Sequence, residues 1–184
     1  LKRYGWWIPY QRKRTTIRLK GLIFSFCNQD CYQAGIEFLD KYPDVFVSLG
    51  FHPEDADNIT DKDLHCLDEV LVSSSRIVAI GEIGLDYYWR KDNKEKQRDL
   101  FQKQLDLAVK HQMPVVIHCR DAIQELYDIL SQYKGKIKGV IHCFSGSYEM
   151  ARAFIELGFV LGIGGVLTFK NSKLYQVVEK IPLS

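Results

Sequence analysis

Apolar residues fall into two alternating patterns along the chain. Short continuous runs occur at Leu22–Cys27, Val45–Leu49, Ile77–Gly81, Val115–Ile117, Val140–Ile141 and Phe159–Ile163. Runs of this length without polar alternation predict strands buried on both faces. Between them lie stretches of helical period. Asn28–Lys41 places Ala34, Phe38 and Cys31 on one face, before Pro43 stops it. Asp61–Val72 carries Leu64, Leu67 and Leu71, and Asn93–Gln112 carries Phe101, Leu105 and Ala108. Asp121 is placed to cap a helix bearing Leu126, Tyr127 and Leu130. Ser147 is placed to cap one bearing Met150, Phe154 and Leu157, with Gly158 at its C-terminus. Ser172–Lys180 carries Leu174, Val177 and Val178. Strictly alternating strands and helices predict an α/β fold with a parallel sheet.

Four of the apolar runs finish on groups able to bind metal or move protons. These are Gly50-Phe51-His52-Pro53, Gly81-Glu82, Ile117-His118-Cys119-Arg120 and Ile141-His142-Cys143. A doubly wound sheet gathers its site at one switch point, whereas a (β/α)8 barrel draws on the C-terminal ends of several strands. The distribution therefore favours a TIM-type (β/α)8 barrel, of which six strands can be counted and eight are needed for closure.

Composition changes little in this picture. The formal net charge of +2 hides a basic segment at residues 1–20, with seven Lys and Arg and no acid; the remainder carries 18 basic against 23 acidic residues. That segment, with Trp6 and Trp7, reads as unlike the barrel that follows over residues 21–184: disordered or misassigned, or else a nucleic-acid or membrane-surface arm with aromatics interleaved among basics. Five cysteines, an odd number, without a secretory signal predict a reducing, cytoplasmic setting. Cys27 and Cys31 are not followed by a second pair at zinc-ribbon spacing, so they do not mark a structural zinc. Cys119 and Cys143 read as buried small residues. No apolar run reaches the ~18 residues that predict a membrane span.

His118 and His142 end two successive strands, and Glu82 follows a third. Two imidazoles and a carboxylate suit a divalent ion such as Mg, Mn or Zn, and the carboxylate can bridge two ions. Paired with Arg120, Glu82 would instead form an ion pair. Asp86 suits an acceptor that orients a ligand, or a turn aspartate. Arg120 lies two residues beyond His118, on the same strand face if the strand persists, and its guanidinium suits a phosphate oxygen; a salt bridge to Asp121 or Glu125 is the alternative. Ser145 can donate to a phosphate but has no base beside it in sequence. Gly162-Ile163-Gly164-Gly165 lacks the lysine of a P-loop and reads as packing.

The successive segments Gly50-Phe51-His52-Pro53, Gly81-Glu82-Ile83-Gly84-Leu85-Asp86-Tyr87, Ile117-His118-Cys119-Arg120 and His142-Cys143-Phe144-Ser145-Gly146 resemble, in order and spacing, the motifs of the TatD family of metal-dependent deoxyribonucleases. So do Gly164-Gly165 and Thr168-Phe169-Lys170. The resemblance covers roughly residues 21–184. It implies a barrel of the metal-dependent hydrolase superfamily with two divalent ions, acting on single-stranded DNA or DNA ends. Glu82 would bridge the ions, His118 and His142 would bind one of them, and Arg120 and His52 would face the scissile phosphate.

Two departures from the family pattern stand out. No His-x-His occurs in residues 1–30, and no Glu-Thr-Asp occurs before Ser184. Both would serve the other metal, so the expectation is a chain holding the ligands of one ion and few of the other. Two rival readings follow: a metal-dependent amidase or lactonase of the same superfamily, with Arg120 binding a carboxylate, or a truncated and inactive homologue.

Overall fold

A computed structural model describes residues 21–182. The basic segment 1–20 lies outside the described residues. All six expected strands are present: β1 (Leu22–Phe26), β2 (Val45–Leu49), β3 (Ile77–Asp86), β4 (Val115–Arg120), β5 (Gly139–Ile141) and β6 (Phe159–Leu161). They form one parallel sheet in the order β1-β2-β3-β4-β5-β6. The intervening helices are α1 (Gln29–Lys41), α2 (Asp61–Val70), α3 (Lys94–His111), α4 (Ile123–Ser131) and α5 (Tyr148–Glu156), and α6 (Leu174–Val178) follows β6. A doubly wound sheet reverses its order at a switch point. This one advances without reversal, as successive strands of a barrel do. Among the described residues β1 and β6 do not pair, so the sheet is an open arc.

The core lies where strand runs meet helix stripes. Val47, Leu49, Ile80, Ile83, Leu85 and Ile117 are fully buried, and so are Leu67, Phe101, Leu105, Leu126 and Phe154 on the helices. β3 is the longest strand, and it outruns the expected Ile77–Gly81: the first three residues of the expected loop, Gly84 to Asp86, are still strand. Gly84 is there for room, since its φ is +145° and a Cβ would overlap the His118 carbonyl oxygen.

Other expectations need correction. β1 is not a buried strand: Leu22, Ile23 and Phe24 are 46%, 61% and 40% exposed, because among the described residues β1 has a strand neighbour only on the β2 side. α1 turns Tyr32, Gly35 and Leu39 inward and leaves Ala34 exposed, with Phe38 half-buried against Phe24 and Phe26; the side chain of Cys31 lies outside the described residues. Asp121 does not cap α4. Its backbone is left-handed at φ +54°, and Ala122 takes the cap position without a side-chain bond. Ser147 does cap α5, accepting from the Met150 N–H, and Gly158 ends that helix at φ +95°. Cys119 is partly buried, but Cys143 is exposed at φ +47°, its Sγ 3.2 Å from His142 Nε2.

Candidate active site

The pairing of β3 with β4 slips between Ile80 and Ile83, where three steps along β3 match two along β4. One extra residue in one strand re-aims the side chains beside it. Glu82 sits at this bulge, and Gly81 permits it, because a Cβ there would come within 2.6 Å of Val116 Cβ. Glu82 and His118 therefore lie within their strands and not at the ends, as the run lengths had suggested; His142 follows β5 directly, and His52 stands three residues beyond β2.

Five candidate groups meet at this end of the sheet. His118 Nε2 lies 2.9 Å from Asp86 Oδ2, and His118 Nδ1 lies 3.5 Å from Glu82 Oε1. His142 Nε2 is 4.0 Å from the same Glu82 oxygen. The His52 ring meets the His118 ring edge-on, with centroids 4.5 Å apart. Asp86 is almost wholly buried, and its Oδ1 accepts from the Tyr88 and Trp89 N–H groups at 2.9 and 3.0 Å. Burial opposes its ionisation, but those N–H groups and His118 hold its pKa below the usual carboxylate value. An ionised Asp86 only accepts, so His118 Nε2 carries the proton toward it and Nδ1 is left facing Glu82. Burial likewise opposes the charge on Glu82, and the three imidazoles outweigh it and lower its pKa. His52 is shifted downward, first by burial and then by His118.

The donor chemistry fits a divalent ion. Donors about 2.1 Å from a shared ion stand roughly 3.4 Å apart, close to the 3.5 Å between Glu82 and His118. A carboxylate on the far nitrogen of a ligating imidazole is the usual support for such a ligand, and Asp86 supplies it. The 4.0 Å to His142 is wider by about half an ångström, and among the described residues no three His, Cys, Asp or Glu side chains converge tightly enough to hold an ion as placed.

Arg120 neither pairs with Glu82 nor forms a salt bridge among the described residues, with Asp121 or with Glu125; Glu125 binds Arg98 at 2.7 Å. β4 does persist to Arg120, in register with Asp86, and the guanidinium carbon lies 3.8 Å from the Tyr88 ring centroid. Arg120, His142 and Ser145 line a cleft of about 340 Å³ that also takes in Cys119 and Asp121. Ser145 is exposed at its rim.

Two buried glutamines were not anticipated. Gln104 donates to the Phe51 carbonyl at 3.1 Å and accepts from the Phe51 N–H at 2.7 Å, which fixes the backbone just before His52. Gln97 treats Asp86 the same way, accepting from its N–H at 2.8 Å and donating to its carbonyl at 3.0 Å. The signal was available: both stand on the same helical face as Phe101, Leu105 and Ala108, where a polar residue needs a buried partner.

Comparison with known proteins shows the family and the fold. The chain is 40% identical over 149 residues to the uncharacterized metal-dependent hydrolase YabD of Bacillus subtilis, covering 80% of this chain and 58% of that protein. It is 30% identical over 148 residues to the 3'-5' ssDNA/RNA exonuclease TatD of Salmonella typhimurium, covering 80% and 56%. The crystal structure of YjjV, a TatD homologue from Escherichia coli, superposes with a TM-score of 0.84 at 30% identity, covering 89% of this chain and 64% of that one. The chain thus spans less than two thirds of the length of these relatives. Among the described residues no helix is long and apolar enough to cross a membrane. The family model for TatD related DNase matches residues 12–184, and the chain belongs to that family.

Proposed function

We propose that the chain carries part of the site of a divalent-metal-dependent phosphodiesterase that removes nucleotides from single-stranded DNA. The observation that carries the reading is the His118 imidazole, clamped through one nitrogen by buried Asp86 and presenting the other to Glu82. A histidine held that way is oriented as a metal ligand, with Glu82 and His142 as the remaining donors from this chain. A divalent ion at this position, and a second by family likeness, would supply Lewis-acid polarisation of the phosphate and lower the pKa of an attacking water.

The protein's own groups do the positioning. His52, edge-on to His118, is placed to donate to a phosphate oxygen. Arg120 keeps its N–H edge available while its face rests on Tyr88, a geometry suited to two parallel bonds to one phosphate. Ser145, which lines the same cleft, adds a hydroxyl. The substrate follows in part from the exonuclease name borne by the Salmonella relative, which covers DNA and RNA.

The test is release of nucleotides from single-stranded DNA with Mg, Mn or Zn supplied in turn, with RNA and a cyclic amide as comparison substrates. Activity with DNA that vanishes in a Glu82→Ala/His142→Ala double variant supports the proposal. Equal activity of that variant and the parent sinks it, and hydrolysis of the amide alone moves the chain to the amidohydrolase reading.

A further inference from the structure

Tyr88 and Trp89 are large aromatic side chains left open to solvent, 48% and 61% exposed, and only buried Tyr87 separates them from the strand that carries Glu82 and Asp86. Their rings meet at 88°, with centroids 4.8 Å apart. Arg120 lies over the Tyr88 ring at 3.8 Å and within 5.3 Å of the Trp89 ring. Nothing packs this group into the core, yet its backbone is firmly held. Asp86 Oδ1 binds the N–H groups of both aromatics, and Gln97 donates to the Arg90 carbonyl at 3.0 Å. The Arg90 side chain in turn binds Asp57, which also accepts from Asn93 and Lys96 at 2.8 Å each. A well-braced loop thus presents to water two aromatic rings, with a guanidinium laid over one face of Tyr88, beside the cleft shared by Arg120, His142 and Ser145.

Exposed aromatics next to a cation match one kind of occupant well. A nucleobase has a π-face for the rings, and its phosphate takes the cation, so single-stranded nucleic acid is bound by stacking with little regard to sequence. A base in a duplex is already stacked on its neighbours and cannot use such a surface. We propose that Tyr88, Trp89 and the face of Arg120 form a stacking subsite for one base of a single-stranded nucleic acid, next to the phosphate held in the cleft. The proposal rests on the nuclease reading above for its ligand class, and it adds the place where a base is held and the reason that sequence would matter little.

The experiment is equilibrium binding of a fluorescein-labelled oligothymidylate to the full chain by fluorescence polarisation, in chelator so that nothing is cleaved, and at constant ionic strength because phosphate contacts depend on salt. An abasic oligonucleotide of equal length is the second ligand. The expected result is that Trp89→Ala weakens oligothymidylate binding by roughly 5- to 100-fold, the worth of one stacked base. Trp89→Phe keeps most of the affinity, and the abasic ligand binds parent and variant alike. Equal loss on both ligands, no loss on either, or no binding of oligothymidylate by the parent would overturn the subsite. Because turnover is not involved, loss of the stacking pattern and loss of metal-dependent hydrolysis are separate results. Circular dichroism confirms that each variant is folded.

Discussion

Replacing Gln104 by alanine tests whether the buried amides matter as much as their geometry implies. Gln104 is 1% exposed, and its side chain closes two hydrogen bonds on one residue, at 2.7 Å to the Phe51 N–H and 3.1 Å to the Phe51 carbonyl. Alanine leaves both backbone groups buried. A stranded donor or acceptor costs about 1–3 kcal/mol, so two of them cost about 2–6 kcal/mol. A water entering the vacated space and bonding both groups would recover part of this. The expected loss is therefore about 2–4 kcal/mol in urea unfolding, with an unchanged denaturant slope. Gln102 sits on the exposed side of the same helix, and Gln102→Ala should change stability by less than about 0.5 kcal/mol. A Gln104→Ala loss below about 1 kcal/mol, or equal to that of Gln102→Ala, would refute the reasoning. It would mean that Phe51 finds other partners and that His52 is not held through it.

Three further outcomes follow from other parts of the fold. Gly84→Ala drives a methyl group into the His118 carbonyl oxygen at a backbone angle that alanine avoids, and it should destabilise the chain by about 3–5 kcal/mol in the same unfolding assay. Ser147→Ala removes the acceptor for the Met150 N–H, and the midpoint should fall by an amount worth about 1 kcal/mol. The Tyr133 hydroxyl donates to Asp106 at 2.9 Å; burial, then that carboxylate, push its pKa up to about 12. An unfolded tyrosine titrates near 10. The folded value is the higher one, so this contribution is complete below about pH 10 and is lost as pH rises through about 12. Urea midpoints measured across that window should fall less steeply for Tyr133→Phe than for the parent.

The sequence makes the alternation of strand and helix legible because each period has its own cause. Leu126 and Leu130 recur on one helical face, while Val45–Leu49 is apolar without interruption. What pattern alone does not carry is neighbourhood. Leu22–Phe26 is as apolar as a central strand, and nothing local marks it as the edge, so its exposure was missed. Gly84 and Asp86 look like turn residues. In the structure they serve a close approach and a buried acceptor inside a strand, and β3 therefore runs longer than its apolar core. Cys143 reads as core and is exposed; its backbone is left-handed just after β5, which no periodicity announces.

The candidate site divides the same way. His118, Glu82, His142, His52 and Asp86 could be grouped from their places after apolar runs, and the fold brings them together. Arg120 could be placed on its strand but not given its partner. Its contact with Tyr88 depends on the register of β4 against β3 and on a bulge that no periodicity announces. Gln97 and Gln104 are polar members of an otherwise apolar helix stripe, and their partners, the backbones of Asp86 and Phe51, lie in other elements.

The unreversed strand order has a consequence for how the chain acquires its structure. Among the described residues every strand pairs with the one before or after it in sequence, so no pairing among them has to wait for a distant segment to arrive. Loop-closure entropy is then met in small instalments, which favours fast assembly from a local nucleus. The longest strand and longest helix, β3 and α3, adjoin β4 in sequence, and they are the expected starting point. Growth would proceed outward one strand at a time in both directions. Native-state hydrogen exchange should therefore show the slowest amides in β3 and β4, with protection falling stepwise toward β1 and β6; uniform protection across the sheet would contradict this route.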